Sequence, residues 1–273
     1  MRRLVAALFC LCWSAAAEAS APCSAEEPCR IAGGEYHLAI PSGWDRTTPL
    51  PVLLFFHGHR SSGLSVIRDR SLQAGFVDHG YLLVAPNGDL RPEDGARAWP
   101  ARTSAAGWRD DVAFTLAVLD DVAVRFPIDP ERIYAAGFSA GGSMAYMLAC
   151  HAGQRFAGFV SISGALRRPV PEGTCPAGPV RMLHFHGFAD TQVPLEGRGI
   201  GDWHQGDVFE SLDLLRRTDG CTSQPAEIAV GDAYWCRSWT GCASGRDIRF
   251  CLHAGGHGMP AGWAGIARNW MEG

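Results

Sequence analysis

Six segments of the chain are almost continuously apolar, which is typical of strands buried on both faces. They are PVLLFFHG (51–58), YLLVAPNG (81–88), RIYAAGFS (132–139), FAGFVSISG (156–164), VRMLHFHG (180–187) and DIRFCLHAGGH (247–257). Helical patterns lie between several of them. Such alternation predicts an α/β fold, with a mostly parallel central sheet, helices on both faces and a functional site at the carboxyl ends of the strands.

The clearest helical pattern is RDDVAFTLAVLDDVAVRF at 109–126. Its apolar residues recur at the spacing of one helix face. We expect four of them to share that face: Val112, Leu116, Leu119 and Val122. Two further helices are expected at about 142–151 and 208–217.

The N-terminus has the pattern of a secretory signal peptide. Two arginines precede an apolar stretch from Leu4 to Trp13, and a small-x-small triplet follows at 17–19. We therefore predict a signal peptide at 1–19 and export to the periplasm or the medium. A total length of 273 residues then leaves 20–273 as a single domain with a sizeable core.

Eight cysteines remain after the predicted cleavage: Cys23, Cys29, Cys150, Cys175, Cys221, Cys236, Cys242 and Cys251. An even number in an exported chain indicates disulfides, although the spacing alone leaves their pairing open. A zinc site is the alternative, but the sequence lacks paired Cys-x-x-Cys or His/Cys spacings.

All 24 basic residues are arginine, and the formal net charge is −4. The lack of lysine excludes a Walker phosphate loop, a Schiff-base lysine and a Ser–Lys dyad. The small negative charge gives no support for binding to nucleic acid or to an anionic membrane. We expect neither partner, and we expect a monomer that uses no cofactor and no metal.

A serine flanked by glycines lies where a predicted strand meets a predicted helix, in GFSAGG at 137–142. The pattern G-x-S-x-G at such a turn is typical of a nucleophile elbow, whose flanking positions lie too close to the neighbouring backbone for side chains. Ser139 is therefore the candidate nucleophile. The alternative is a tight turn whose serine caps the helix.

A nucleophilic serine needs a base and a residue that orients the base. With no lysine available, the base should be a histidine, and in this type of fold an acid and then the histidine follow the serine. Asp190 lies just after a predicted strand, and His257 lies in a glycine-rich loop after the last one. The alternatives are a turn-stabilising role for Asp190, and His253 or His151 as the base.

The reaction also needs two backbone N–H groups that hold the developing oxyanion. We expect one from Ala140, directly after the serine, and the other from His59, in the loop after a buried strand. His57 ends that strand. A core histidine that braces the loop is an alternative for His57, and bracing the loop is compatible with a role in shaping the site.

One pattern suggests different chemistry, namely His184 and His186 close to Asp190. Alternate residues of a strand point to one face, as metal ligands do. The zinc-hydrolase pattern needs a further histidine beside the aspartate, where Thr191 stands instead. We favour strand histidines that are satisfied by their neighbours.

Four blocks together resemble the secreted polyhydroxybutyrate depolymerase and feruloyl esterase family of α/β-hydrolases. They are HG at 57–58, WRDDVAF at 108–114 leading to IDPERIYAAGFSAGG at 128–142, HGFADTQVPLEG at 186–197, and GGHGMP at 255–260. The resemblance implies an α/β-hydrolase fold with little or no lid. It also implies that Ser139 is the nucleophile, Asp190 the orienting acid and His257 the base, and that Cys221 pairs with Cys242.

The sequence departs from the family at Met259, where relatives commonly have a tryptophan that helps to line the acyl site. We expect Trp108, Trp203 and Met259 to contact the substrate, with Trp99 and Trp263 as further candidates. A buried structural role is the alternative for each tryptophan.

These expectations describe a secreted or periplasmic serine esterase. Polyhydroxybutyrate or its oligomers are the first expected substrate, and feruloyl or acetyl esters of plant cell walls are the alternative. A non-catalytic binding module and a serine peptidase are two other classes with this fold. The intact serine, acid and histidine argue against the first, and the short chain argues against the second.

Overall fold

The computed structural model describes residues 23–102, 106–201 and 203–273. The predicted signal peptide at 1–19 lies outside the described residues. No helix in these ranges is long and apolar enough to cross a membrane.

The strands of the described residues, in chain order, are β1 (Cys29–Ile31), β2 (Gly34–Ala39), β3 (Leu50–Phe56), β4 (Leu82–Pro86), β5 (Asp89–Leu90), β6 (Arg97–Ala98), β7 (Ile128–Phe138), β8 (Gly158–Ile162), β9 (Met182–Gly187), β10 (Arg198–Ile200), β11 (Trp203–Gln205), β12 (Glu227–Val230), β13 (Trp235–Trp239) and β14 (Ile248–His253). The helices are α1 (Gly63–Ile67), α2 (Arg70–Gly75), α3 (Asp111–Arg125), α4 (Ala140–Ala152), α5 (Val208–Asp219) and α6 (Trp263–Glu272). Two 3₁₀ turns cover Val77–His79 and Gly153–Arg155.

Ten of the strands form one sheet in the order β1-β2-β4-β3-β7-β8-β9-β14-β13-β12. The central six, from β4 to β14, are parallel to one another, and the two strands at each edge are antiparallel. The six predicted strands are the six parallel ones. The mostly parallel α/β fold is therefore confirmed.

Helices cover both faces of the sheet. Along β3, Val52 and Leu54 belong to one apolar cluster, and Leu53 and Phe55 belong to a second. The first cluster receives buried residues of α3, α4 and α5, and the second receives those of α1, α2 and α6. This arrangement agrees with buried strands whose side chains alternate between two hydrophobic layers.

The three predicted helices are confirmed as α3, α4 and α5, but the buried face of α3 differs from the prediction. Its buried residues are Asp111, Phe114, Thr115, Val118, Leu119 and Val122. Val112 and Leu116 are only partly buried. The face is rotated because the ring of Phe114, the largest apolar group of the helix, packs into the core.

All eight cysteines of the described residues are paired. The disulfides are Cys23–Cys29, Cys150–Cys175, Cys221–Cys242 and Cys236–Cys251. The pairing of Cys221 with Cys242 is the one that the family resemblance implied. Two of the four bridges fasten the antiparallel region near β13 to its surroundings.

Candidate active site

Ser139 occupies a strained turn between β7 and α4. Its φ of 59° and ψ of −119° are unusual for a residue with a side chain. Its N–H donates to Ile162 O at 2.8 Å, and its hydroxyl makes no capping hydrogen bond to the helix. The helix-capping alternative therefore does not apply.

The glycines around this serine allow two backbone segments to touch. A Cβ atom on Gly141 would overlap the carbonyl group of Phe56 at the end of β3. A Cβ atom on Gly137 would overlap the carbonyl group of Gly141. The elbow is thus packed too tightly for any larger residue at these positions, as the sequence motif predicts.

The structure brings together the three residues that were predicted as a triad. His257 Nε2 lies 2.9 Å from Ser139 Oγ, and His257 Nδ1 lies 2.8 Å from Asp190 Oδ2. Because a carboxylate only accepts, Nδ1 carries the proton and Nε2 is free to accept the serine hydroxyl. This tautomer is the one that a general base needs.

The two alternative bases lie elsewhere. His253 is the last residue of β14, and its Nδ1 accepts the N–H of Gly255 at 3.1 Å. His151 lies in the last turn of α4, at the opposite end of that helix from Ser139. Only His257 among these three contacts the serine.

Asp190 both stabilises its turn and orients the histidine. Its Oδ1 accepts the N–H groups of Gln192 and Val193 at 2.9 and 2.8 Å, while Oδ2 faces His257. Burial alone would raise the pKa of Asp190, but the hydrogen bonds from His257 and the two backbone groups outweigh it and lower the pKa below its ordinary value. The carboxylate is therefore charged at neutral pH.

A series of buried hydrogen bonds supports the turn that contains Asp190. His186 Nε2 lies 2.8 Å from Val193 O, His184 Nε2 lies 2.9 Å from His186 Nδ1, and Tyr146 OH lies 2.6 Å from His184 Nδ1. Since Val193 O only accepts, the series has one consistent direction, with each ring donating from Nε2 and accepting at Nδ1. Burial lowers the pKa of both histidines, which keeps them neutral.

These hydrogen bonds link α4, through β9, to the loop that contains Asp190. The ring nitrogens of His184 and His186 are all engaged in these hydrogen bonds, as expected for strand histidines that are satisfied by their neighbours. The sequence contained a signal for this role in the alternation of the two histidines along a buried strand. It contained none for Tyr146.

His57 braces the loop that follows β3. Its Nε2 accepts the N–H of Gly88 at 3.0 Å, and its Nδ1 donates to Gly58 O at 2.7 Å. Trp99 Nε1 in turn donates to His57 O at 3.0 Å. Burial lowers the pKa of His57 to about 4, so the ring is neutral and holds the loop in place.

A cavity of about 520 Å³ opens beside the serine, within the range of small-molecule sites. Ser139 and four residues predicted to shape the site line it: Ala140, His59, Trp108 and Trp203. Trp99 lines it as well. In the described part of the chain, the N–H groups of Ala140 and His59 have no protein acceptor, which leaves both free for an oxyanion.

Met259 and Trp263 lie outside this cavity, contrary to what their sequence positions suggested. Met259 packs against the core cluster that contains Phe185 and Cys251. Trp263 is buried in the same cluster, with its ring 5.9 Å from those of Phe55 and Phe76. Both side chains belong to the apolar layer between α6 and the sheet, so they complete the core there.

Four arginines on the cavity wall were not singled out from the sequence: Arg91, Arg102, Arg167 and Arg198. Arg198 and Trp203 come from the short hairpin of β10 and β11, which forms one side of the cavity. Because every basic residue of this chain is arginine, composition gave no hint of which ones face the site.

Comparison with known proteins agrees with this geometry. The chain belongs to the family described as "Putative esterase", whose model matches residues 32–217. It is a carboxylic ester hydrolase with an α/β-hydrolase fold.

Relatives with known names are similar over most of the chain. Feruloyl esterase C of Emericella nidulans is 29% identical over 243 residues, which cover 85% of this chain and 80% of that protein. Feruloyl esterase B of Piromyces equi is 27% identical over 80% of this chain and 41% of that protein.

Two solved structures share the fold. The acetyl xylan esterase from Aspergillus awamori superposes with a TM-score of 0.67 at 14% identity, over 88% of this chain and 94% of that one. The Bacillus cereus carboxylesterase superposes with a TM-score of 0.56 at 18% identity, over the same shares of the two chains. At such identities the likeness concerns the fold alone.

Proposed function

We propose that the protein is a serine esterase that hydrolyses hydroxycinnamoyl esters, such as the feruloyl esters of plant cell walls. The observation that carries the proposal is the line of hydrogen bonds from Ser139 Oγ through His257 to Asp190, at 2.9 and 2.8 Å, beside a cavity lined by three tryptophans. Indole rings favour a planar aromatic acyl group over a short aliphatic one. The feruloyl esterase names of two relatives support the same substrate.

The expected preference for polyhydroxybutyrate has no comparable support. Neither the relatives nor the solved structures described above carry that activity in their names. Met259, at the position that differs from the family, lies away from the cavity. We therefore propose cell-wall esters, and not polyhydroxybutyrate, as the substrate.

The first half of the reaction forms an acyl-enzyme. Ser139 Oγ attacks the ester carbonyl carbon while His257 Nε2 takes the hydroxyl proton, and Asp190 stabilises the imidazolium through Nδ1–H. The N–H groups of Ala140 and His59 hold the negative oxygen of the tetrahedral intermediate. When this intermediate collapses, His257 gives the proton to the leaving alcohol, and the acyl group stays on Ser139.

The second half releases the acid. A water molecule attacks the acyl carbon, and His257 Nε2 takes one of its protons. The same two N–H groups hold the second tetrahedral intermediate. Its collapse breaks the bond to Ser139 Oγ, which recovers a proton from His257, so that the enzyme returns to its starting state.

The rings beside the serine are held in place before the substrate arrives. Trp99 is buried and tied to His57 O through Nε1, and the guanidinium of Arg167 lies 4.8 Å from the ring centre of Trp203. A cavity whose walls do not have to reorganise loses less free energy when it binds a rigid planar group.

The four disulfides support an oxidising compartment as the site of action. We propose that residues 1–19 are removed on export and that the remaining single domain, 20–273, acts as a monomer in the periplasm or the medium.

A rate comparison on three substrates tests the proposal. Purified mature protein is assayed with methyl ferulate, acetylated xylan and hydroxybutyrate oligomers, with Ser139→Ala as the blank and exposed Ser65→Ala as the matched control. We expect kcat/KM for methyl ferulate to exceed the other two by about tenfold or more, since differences of one or two contacts in a pocket change specificity by this amount. Higher activity on the oligomers would contradict the substrate, and a fully active Ser139→Ala variant would contradict the mechanism.

A further inference from the structure

The cavity beside the serine has an excess of positive charge, although the whole chain is negative. Four arginines and one glutamate, Glu93, line it. Arg91 lies 3.4 Å from Glu93 and 3.6 Å from Asp94, so it is already paired. The three remaining arginines have no carboxylate partner among the described residues: Arg102, Arg167 and Arg198.

Arg167 is the most deeply placed of these charges. Only 9% of it is exposed, and its Nη1 donates to Trp99 O at 2.6 Å and to Pro100 O at 2.7 Å. Its Nε is buried and has no acceptor within the described ranges. Its Nη2 also has no acceptor among the described residues, but it is not among the buried atoms.

The two groups of Arg167 that lack an acceptor among the described residues, Nε–H and Nη2–H, lie on one edge of the guanidinium. Nη2 is the accessible one of the two and can donate a charge-assisted hydrogen bond to a carboxylate in the cavity, whereas Nε is covered by protein. Burial and the nearby charge of Arg102 lower the pKa of Arg167 to about 10, so it is still charged at neutral pH. A buried cation is unfavourable when no carboxylate neutralises it, and the described residues provide none for Arg167, which indicates that a ligand supplies the anion.

Arg102 adds a second positive charge at the same place. Its guanidinium lies 5.7 Å from the ring centre of Trp203, and that of Arg167 lies 4.8 Å from the same ring. Two like charges around one indole repel each other, and an anion bound beside them would relieve the repulsion. The indole itself offers a flat surface for the rest of the ligand.

We propose that Arg167, assisted by Arg102, binds a free carboxylate of the substrate, so that the enzyme selects anionic esters. The inference rests on the proposed function, because it concerns the cavity of the same serine. The carboxylate belongs either to the acyl group, as in the half-ester of a dicarboxylic acid, or to the alcohol, as in a uronate or hydroxybenzoate. Both sources offer the same acceptor, a carboxylate oxygen, to Nη2 of Arg167.

Two pairs of esters, matched except for the charge, test the proposal and separate the two sources. Mono-para-nitrophenyl glutarate and its methyl ester differ in a carboxylate on the acyl side. Para-acetoxybenzoate and its methyl ester differ in a carboxylate on the alcohol side. For each pair the quantity is the selectivity, which is kcat/KM for the anionic ester divided by kcat/KM for the neutral one.

The selectivity in one of the two pairs should fall by about 10- to 100-fold in Arg167→Gln, as expected for the loss of one hydrogen bond to a charged group. Arg167→Lys should restore part of it, and Arg102→Gln should lower it by a smaller factor. Arg168→Gln is the matched control, because Arg168 is the next residue, is about half exposed and pairs with Glu210. Taking the ratio within one variant cancels any general loss that results from the contacts of Arg167 to the backbone.

Salt gives an independent readout. The selectivity of the wild type should decrease as ionic strength rises, and that of Arg167→Gln should change less. Equal selectivity in the wild type and in Arg167→Gln for both pairs, with the neutral esters still hydrolysed, would overturn this inference and leave the proposed function intact.

A binding measurement distinguishes the proposed anion site from the proposed esterase function. Ser139→Ala should bind glutarate or benzoate in calorimetry, and adding Arg167→Gln should weaken that binding by at least about tenfold. Binding that depends on Arg167 in a protein that hydrolyses none of the esters would support the anion site while the proposed function failed. Binding that is unaffected by Arg167→Gln would overturn the anion site.

Discussion

Replacement of Asp190 by asparagine should remove the acid while leaving its turn intact. Asparagine keeps an oxygen at the position of Oδ1, which accepts the N–H groups of Gln192 and Val193 at 2.9 and 2.8 Å. Those two donors also fix the orientation of the new amide, because its NH₂ group cannot face them. The NH₂ group must therefore take the place of Oδ2, 2.8 Å from His257 Nδ1.

This change reverses the tautomer of the base. An amide that donates to His257 Nδ1 forces the ring proton onto Nε2, which then points a donor at Ser139 Oγ, 2.9 Å away. The ring is no longer able to accept the serine proton. We expect kcat/KM to fall by about 10³- to 10⁴-fold, which corresponds to ~4 to 5.5 kcal/mol of lost transition-state stabilisation.

The assay is kcat/KM on a soluble aryl ester, with the melting temperature measured in parallel. Asp207→Asn is the matched control, since Asp207 accepts the N–H groups of residues two and three positions on, Phe209 and Glu210, in the same way but far along the chain from the triad. The control should retain activity within about twofold, as surface substitutions generally do. A loss of less than about tenfold in Asp190→Asn, with the fold intact, would refute the assigned role of Asp190.

Two further predictions concern stability. Cys236→Ala/Cys251→Ala opens a loop of 15 residues and should lower the free energy of unfolding by ~3 kcal/mol, or the melting temperature by roughly 6–12 °C. Opening the six-residue loop between Cys23 and Cys29 should cost less. Equal effects of the two changes in calorimetry would contradict this. Burial raises the pKa of Asp219 to about 7 in the folded protein, whereas an unfolded chain has a pKa of about 4 at this residue. Ionisation of Asp219 therefore lowers the stability of the fold progressively as pH rises from about 4 to about 7. Asp219→Asn should therefore raise the melting temperature relative to wild type by several degrees more at about pH 8 than at about pH 5, and a difference that is the same at both pH values would refute the assignment.

The parallel centre of the sheet was predictable from the sequence, and its antiparallel edges were not. β3, β4, β8 and β9 are buried at every position, so their composition alone marks them as strands. β12 is almost fully exposed and forms only through its pairing with β13. A strand with almost no buried positions lacks the alternation or apolar run that marks a strand in the sequence, even when its partner is the next strand along the chain.

The three residues of the candidate triad were also predictable from the sequence, because each must follow a strand and the three occur in a fixed order along the chain. The hydrogen bonds that run from Tyr146 to Val193 were not, since they depend on Tyr146 of α4 meeting His184 of β9 in the folded protein. The cationic cavity was missed for the same reason. Arg102 and Arg167 are far apart in sequence and meet only around the ring of Trp203.

Covalent labelling of the nucleophile tests the central claim most directly. Mature protein is inactivated with diethyl para-nitrophenyl phosphate, digested and analysed by mass spectrometry. The account predicts one diethylphosphoryl group, located on Ser139, formed in step with the loss of esterase activity and strongly slowed in His257→Ala. Complete inactivation with Ser139 unmodified, or with the adduct on another residue, would contradict it.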